Sequence, residues 1–340
     1  MSDLPKLGID IGSVAIKLVE LSPLRKDKWK LATAISAATP GSGIGGGQGD
    51  LLAVTAVLVK MIKESGAKAR KAVVALPEEQ VSSHIVEMPL LSDAEVKQAL
   101  KWQVEQYIPI PEEKAVWSHQ VIKRDEAGGG MEVLLVAASK SLVNSAVAVL
   151  EKAGLEVVAI ETELTAAARA EVAHGYPLSM VVDIGAKSTD LGVVREGQLV
   201  FSRTIPTGGE GFTRAIESGL GMERSQAEQY RNTYGFAGDK LGGKLVEVMR
   251  PVLVVVGNEV KKTADFYTSK HPGETVKLVT LSGGMAVVPE LAGVLSGMVG
   301  MEVAIGNPLL KVVTDAKRPK ISPIEGPFYA VAIGLAMREL

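Results

Sequence analysis

Two short segments of this chain share one grammar. Leu7-Gly-Ile-Asp-Ile-Gly12 runs into Ala15–Leu21, and Met180-Val-Val-Asp-Ile-Gly185 runs into Ala186–Val194. Each is an apolar strand that ends in Asp-Ile-Gly, makes a tight turn and returns as a second strand. A third strand, Leu199–Ile205, follows the later copy. Asp10 and Asp183 lie 173 residues apart, so the repeat marks a duplicated supersecondary unit rather than a local hairpin array. A chain of 340 residues has room for about two domains of ordinary size. The expectation is an α/β protein with two lobes, each built around one copy.

The repeated turn also carries chemistry. Glycine lets a backbone approach a phosphate closely, and the amides of a tight turn point outward toward it. A carboxylate at the strand end needs a cation between itself and a phosphate. Asp10 and Asp183 would therefore hold water-ligated Mg²⁺. Gly12 and Ser13 in one turn, and Gly185, Lys187, Ser188 and Thr189 in the other, would face the β- and γ-phosphates. One Asp-X-Gly alone is an ordinary β-turn; the second copy makes the pattern specific. A third element, Lys277–Leu291, reads as a strand, a Ser282-Gly283-Gly284 turn followed by Met285, and a helix start. Its bare backbone would suit adenine and ribose, although a plain strand-to-helix turn reads the same way.

Between the copies lies material of a different kind. Leu51–Ser65 has helical periodicity and stops at Gly66. Lys71–Leu76 is a strand ended by Pro77. Ser92 and Glu95 have capping-box spacing and open a helix that Pro109 ends. Strands Val81–Glu87, Trp117–Arg124 and Met131–Ala138, with a helix from Ser141 to Lys152, complete a β-α-β-β-α unit over residues 81–155. It is inserted into the larger α/β frame.

Composition removes several classes. The 37 basic and 39 acidic residues give a net charge of −2, with no global footprint for nucleic acid or anionic lipid. Aromatics are 4% of the chain, which weighs against a base-stacking platform. Cysteine is absent, which excludes disulfides, thiolate metal sites and a cysteine nucleophile and fits a reducing cytoplasm. No apolar run reaches membrane-spanning length. The four histidines lack metal-ligand spacing and read as structural or surface residues. Pro327–Leu340 reads as a buried apolar helix with no basic amphipathic tail after it. The 36 glycines divide into loop glycines (41–49, 128–130, 238–243) and seven placed where backbone meets nucleotide: Gly8, Gly12, Gly185, Gly208, Gly209, Gly283 and Gly284.

The order of phosphate hairpin, inserted unit, second phosphate hairpin and Gly-Gly turn resembles the actin/Hsp70/sugar-kinase ATPase superfamily. Within it, the chain resembles the PilM family of type IV pilus assembly proteins, related to the cell-division protein FtsA. Lys101-Trp-Gln-Val-Glu-Gln-Tyr-Ile-Pro-Ile-Pro111 is similar to that family's signature, as are Gly8–Ser13, Lys17, Val19-Glu20-Leu21 and Glu259–Tyr267. Gln103 replaces a usual Glu, and Val14 and Ala15 replace small polar hairpin residues. That leaves more of the phosphate contact to backbone amides and Lys17.

The resemblance implies a ribonuclease H-like two-lobed fold with an inserted 1C subdomain. Its divisions would be 1A at 1–80, 1C at 81–155, a crossing helix at 156–178, 2A at 179–210, 2B at 211–275, and 276–340 completing 2A and returning to lobe 1. It implies ATP and Mg²⁺ as cofactors, with Asp10, Glu163 and Asp183 as the catalytic set. Lys17 points to the phosphates or into solvent. Glu161 and Glu163 begin the crossing helix, as water-positioning acids or as acids favoured by the helix dipole. Glu210 after Gly208-Gly209 bonds ribose or caps its helix. Glu259 is carried by the family-like helix, and Lys262 lies beside adenine or in water. No dedicated base stands out, so tight binding with slow or no hydrolysis is expected.

The implied role is a cytoplasmic scaffold, peripheral to the inner membrane. It would bind the cytoplasmic N-terminal peptide of PilN between lobe 1 and the inserted unit, reach pilus motor and platform proteins indirectly, and self-associate in some settings. It would neither insert into membrane nor bind nucleic acid. Trp102, Tyr107 and Ile108 either line that peptide groove or pack their own unit. The alternatives are a small-molecule kinase of the same superfamily, which would need a sugar-binding polar set not visible here, and an FtsA-like filament protein.

Overall fold

The computed structural model describes residues 4–25, 27–126, 128–172, 176–314 and 321–339, with the side chain of Gln103 left aside. The chain begins with strands β1 (Lys6–Ile11), β2 (Ala15–Arg25) and β3 (Lys28–Ala38), helix α1 (Gln48–Ser65) and β4 (Lys71–Leu76). The insertion follows as β5 (Val81–Pro89), α2 (Asp93–Tyr107), β6 (Ala115–Asp125) and β7 (Gly130–Ser139). Next come α3 (Lys140–Lys152), β8 (Glu156–Thr162) and α4 (Glu163–Glu171). The second lobe holds β9 (Leu178–Ile184), β10 (Thr189–Arg195), β11 (Gln198–Ile205), α5 (Gly209–Leu220), α6 (Arg224–Tyr234), α7 (Lys244–Lys270), β12 (Leu278–Ser282), α8 (Leu291–Val299) and β13 (Glu302–Ile305). Strand β14 (Val312–Val313), a 3₁₀ segment at Pro323–Tyr329 and α9 (Ala330–Ala336) return to the first lobe.

The duplication is visible in the sheets. The first has strand order β14-β3-β2-β1-β4-β8 and the second β11-β10-β9-β12-β13. Each contains an antiparallel three-strand meander followed by two parallel strands. The central strands are apolar on both faces because helices cover both sides. All of β1, and β4 apart from its half-buried first residue Lys71, is buried, the pattern expected of parallel strands in a layered α/β fold.

Two helices cross the middle. Leu164 and Ala166–Ala168 of α4, with Val331 and Leu335 of α9, share one core with β4 of the first lobe and β9–β11 of the second. Small residues let backbones approach here. A Cβ on Gly334 would lie 1.8 Å from the Ala166 carbonyl oxygen, and one on Gly8 1.9 Å from that of Ala332. Gly8 was expected beside the nucleotide; it is a glycine because α9 presses on β1.

Residues 156–178 were expected as a helix, but they open with strand β8, which extends the first sheet beside β4. Glu161 thus sits in a strand rather than at a helix start. Its buried carboxylate takes both guanidinium nitrogens of Arg169 at 2.7 Å and Nη1 of Arg338 at 2.6 Å, which ties α4 to the C-terminal segment.

The insertion folds on a core of its own. Its sheet, β5-β7-β6, packs on Val96, Leu100 and Val104 of α2, and Ser92 and Glu95 form the full capping box. Helix α3, read from the sequence as closing this unit, instead buries Leu142, Ala146, Val149 and Leu150 in the first lobe's core. Its apolar stripe matches the larger sheet's helix layer. The insertion is also held to the second lobe. Arg195 of β10 donates to Glu132 of β7 at 2.9 Å and to Tyr267 at 3.3 Å, while the Tyr267 hydroxyl donates to Glu274 at 2.8 Å. Arg195→Ala is expected to loosen this strap, cost about 2 kcal/mol, and raise amide exchange in β7 while leaving β1 unaffected.

Candidate functional site

The two Asp-Ile-Gly turns face each other across a cleft of about 340 Å³ between the lobes. Asp10 ends β1, and Lys17 is its register partner on β2. Alternation turns the lysine inward, where its Nζ donates to Asp10 Oδ2 at 2.9 Å and lies 4.7 Å from the centroid of the Phe328 ring. Burial alone would lower the lysine's pKa, but Asp10 outweighs it and the ammonium is held above its ordinary value. Asp10 Oδ1 is buried and has no hydrogen-bond partner among the described residues. Gly12 leaves the space beside both groups open.

The second turn is built by its neighbours. The first amides of α5, on Gly209 and Glu210, donate to the carbonyls of Gly185 and Ala186 at 2.9 and 2.8 Å. Arg231 of α6 donates to the Gly209 carbonyl at 2.8 Å and to Thr213 at 2.6 Å, which locks that helix start. A Cβ on Gly208 would lie 2.7 Å from the Gly185 oxygen, so this glycine serves turn-to-helix contact. Gly283 adopts φ +79°, and a Cβ there would come within 2.3 Å of Asp183 Oδ1. Only glycine admits the carboxylate so close to this turn.

Most of the residues singled out in the sequence meet here. Asp10, Gly12, Ser13, Lys17, Glu163, Asp183, Gly185, Lys187, Ser188, Gly209, Glu210, Gly283, Gly284 and Met285 all line the cleft. Four do not. Thr189 is fully buried and donates to the Thr207 carbonyl at 2.6 Å, and Gly208 packs beneath the turn. Glu259 and Lys262 bind each other at 2.8 Å on α7, where Glu259 also meets Arg203 of β11 at 2.7 Å. The helix directs Glu259 toward that strand and leaves Lys262 largely exposed, rather than sending either into the cleft.

Other wall residues carried no sequence signal strong enough to name them. Ser42–Gly45 line the cleft, although the glycine run around them suggests a flexible loop. Ile44 is buried in the first core, and Asp50 accepts the Ser42 amide at 3.2 Å. Glu78 and Glu79, after β4, and Arg224 and Arg231 also line the cleft. Reciprocal bonds run from the Glu78 amide to Glu163 Oε2 at 3.0 Å, and from the Leu164 amide to Glu78 Oε2 at 3.4 Å.

Eight acids line the cleft against Lys17, Lys187, Arg224 and Arg231. Burial, then Asp190, pushes Asp183 up to about 7, and Asp10 adds to the shift against the opposing pull of Lys17. Burial raises Asp190 to about 6 against a hydrogen bond from Thr204. Glu163 lies well above the carboxylate range through burial and its acidic neighbours. Acids thus outnumber cations in the lining. The donors are hard carboxylate oxygens, one of them orphaned, and no three-residue metal cage forms among the described residues. That suits a hydrated Mg²⁺, which keeps its water and takes one or two carboxylates plus phosphate.

The signature segment divides. Trp102 on α2 is 85% exposed, whereas Ile108 is buried in the insertion's core and Tyr107 packs against it. Among the described histidines, His84 lies near Tyr107, His119 near Trp117, and His271 stacks on Tyr267; His174 lies outside the described residues. No helix among the described residues is long and apolar enough to cross a membrane.

A family model described as type IV pilus assembly protein PilM matches residues 8–340. A solved PilM-PilN type IV pilus biogenesis complex contains a chain similar to this one at 28% identity, with a TM-score of 0.84 over 99% of this chain and 98% of that chain. MreB 5 of Spiroplasma citri bound to AMPPNP shares the fold at 14% identity and a TM-score of 0.53, over 97% of this chain and 94% of that one. Cell division protein FtsA of Bacillus subtilis (strain 168) is 32% identical over 109 residues, which are 32% of this chain and 25% of that protein. The chain spans less than two-thirds of the length of the curated relatives it matches.

Proposed function

Because the chain belongs to the PilM family of type IV pilus assembly proteins, we propose that it is a nucleotide-binding scaffold that joins ATP in its cleft to a PilN-type peptide beside its inserted unit. One observation carries the nucleotide half: two duplicated Asp-Ile-Gly turns face a single cleft that also holds Lys17 and the Gly283-Gly284 turn. Asp10 and Asp183 would hold Mg²⁺ through water, and the cation would add positive charge to a cleft whose acids outnumber its cations. Lys17 and the turn amides orient the phosphates, and Gly283 and Gly284 leave room for the nucleoside. Phosphoryl transfer depends mostly on positioning and charge. No dedicated base stands out among the cleft residues, so hydrolysis is slow. The peptide half is supported by the likeness to the PilM-PilN complex. On this reading the protein works in the cytoplasm, held at the inner membrane through its partner.

A fluorescent ATP analogue tests the first half. Binding should require Mg²⁺ and weaken at least about tenfold, or ~1.4 kcal/mol, in Asp183→Asn; metal-independent binding equal in both proteins would refute the site. Titration with a PilN-type N-terminal peptide tests the second, and no binding with or without ATP would count against it. Sugar-stimulated ATP consumption would favour a kinase.

A further inference from the structure

The near-neutral total conceals a local concentration of cations at the end of the first sheet farthest from the cleft. There β2 and β3 close as a hairpin with Arg25 opposite Lys28, and β14 adds alongside β3, pairing Val312 with Trp29 and Val313 with Lys30. Lys28 Nζ donates to the Leu310 carbonyl at 2.9 Å, and the Trp29 amide to the Lys311 carbonyl at 3.0 Å. These bonds gather Arg25, Lys28, Lys30 and Lys311 on one edge, with Asp27 as the acid in the hairpin turn. Exposed aliphatic side chains stand among them: Leu24 at 53%, Leu310 at 58% and Val313 at 49%. Trp29 and Val312 pack on the core beneath, so the edge is braced.

Cations interleaved with exposed aliphatic chains match the boundary of an anionic bilayer, where headgroups attract lysine and arginine and the acyl region accepts leucine and valine. Single-stranded nucleic acid is gripped by exposed stacking aromatics, and none of the exposed large side chains of this edge is aromatic. We propose that this edge is a peripheral docking surface for an anionic lipid bilayer, with Arg25, Lys28, Lys30 and Lys311 meeting the headgroups while Leu24, Leu310 and Val313 enter the acyl boundary. β1 runs from this end to the cleft, and the insertion leaves from the cleft end of β4. A docked molecule therefore presents both away from the lipid. The surface is independent of what the cleft holds.

The test uses the full chain, without partner, sedimented with vesicles of phosphatidylcholine alone or with roughly one-third phosphatidylglycerol. Only the anionic vesicles should bind it, and binding should fall as salt rises. Arg25→Ser with Lys30→Ser should weaken binding about 25-fold, about fivefold for each charge removed. Leu24→Ser with Leu310→Ser should release the protein at the same salt. Equal binding to both vesicles, binding to neither, or indifference to salt or to the charge substitutions overturns the proposal. So does retention by the leucine variant, which would mark the attraction as charge alone with no entry into the acyl boundary. If a variant unfolds, the salt and lipid dependence of the unaltered chain decides. Binding of the ATP analogue by the same variants reports on the cleft separately.

Discussion

Gly334→Ala is expected to destabilise the protein by about 3 kcal/mol, at the severe end of overpacking substitutions. The new methyl carbon would lie 1.8 Å from the Ala166 carbonyl oxygen. That atom is backbone within α4 and cannot swing aside as a side chain could. To admit the methyl, α9 must move away from α4, and these helices share the core that joins the lobes. Their separation would also disturb Arg169, which donates both to the Gly334 carbonyl at 2.8 Å and to Glu161. Gly297→Ala in α8 is the matched control: nothing lies within 4 Å of its added Cβ. Alanine gains helix propensity there, so the change should be neutral or stabilising by up to about 1 kcal/mol. Urea unfolding of the two variants gives the comparison. Similar midpoints would mean that the helix crossing is not the tight joint described here.

The same crossing shows what sequence could and could not reveal. Asp10, Gly12, Asp183 and Gly185 were legible because strand, turn and strand are local and their repetition is rare by chance. Ser92 was legible because a capping box spans four residues. Lys17 was half-legible: alternation offered two faces, and its bond to Asp10 decides between them. Gly8 shows the limit. Its sequence neighbours describe a strand end near a phosphate turn, yet the constraint comes from α9, more than 320 residues later in the chain. Glu161, Glu78 and the Ser42–Gly45 turn likewise acquire their roles from partners distant in sequence. Glu259 and Lys262 fail in the opposite way, because a family-like helix pattern does not say which face Arg203 will occupy. Periodicity fixes elements and repeats, whereas long-range pairing decides which polar residues end up in the cleft.

Stability without ligand should fall as pH rises from 5 to 8, and Glu78→Gln should remove one share of that fall. Glu78 is 4% exposed, and one of its carboxylate oxygens lacks a partner among the described residues. Burial, then Asp190, raises it from 4.5 to about 7. The unfolded chain loses this proton near 4.5, while the folded protein keeps it until about 7. The favourable contribution is therefore complete below about pH 4.5 and is lost as pH climbs through 7. A displacement of that size corresponds to roughly 3 kcal/mol at most, and water in the open cleft reduces it to about 2. Glu163, Glu171, Asp183 and Asp190 are shifted in the same direction and account for the fall that Glu78→Gln leaves behind. The amide oxygen of glutamine can still accept the Leu164 amide. The variant should thus fold normally, match the parent at pH 5 and exceed its stability at pH 8 by about 2 kcal/mol in urea titrations. Parallel stability curves for the two proteins would show that Glu78 does not titrate in this range. The physical point concerns the cleft as a whole. Protons that Glu78 and Asp183 retain below about pH 7 limit the mutual repulsion of the acids before a divalent cation binds. A bound divalent cation would favour their release, so metal binding should liberate protons most strongly just below neutral pH, and calorimetry in buffers of different ionisation enthalpy can count them.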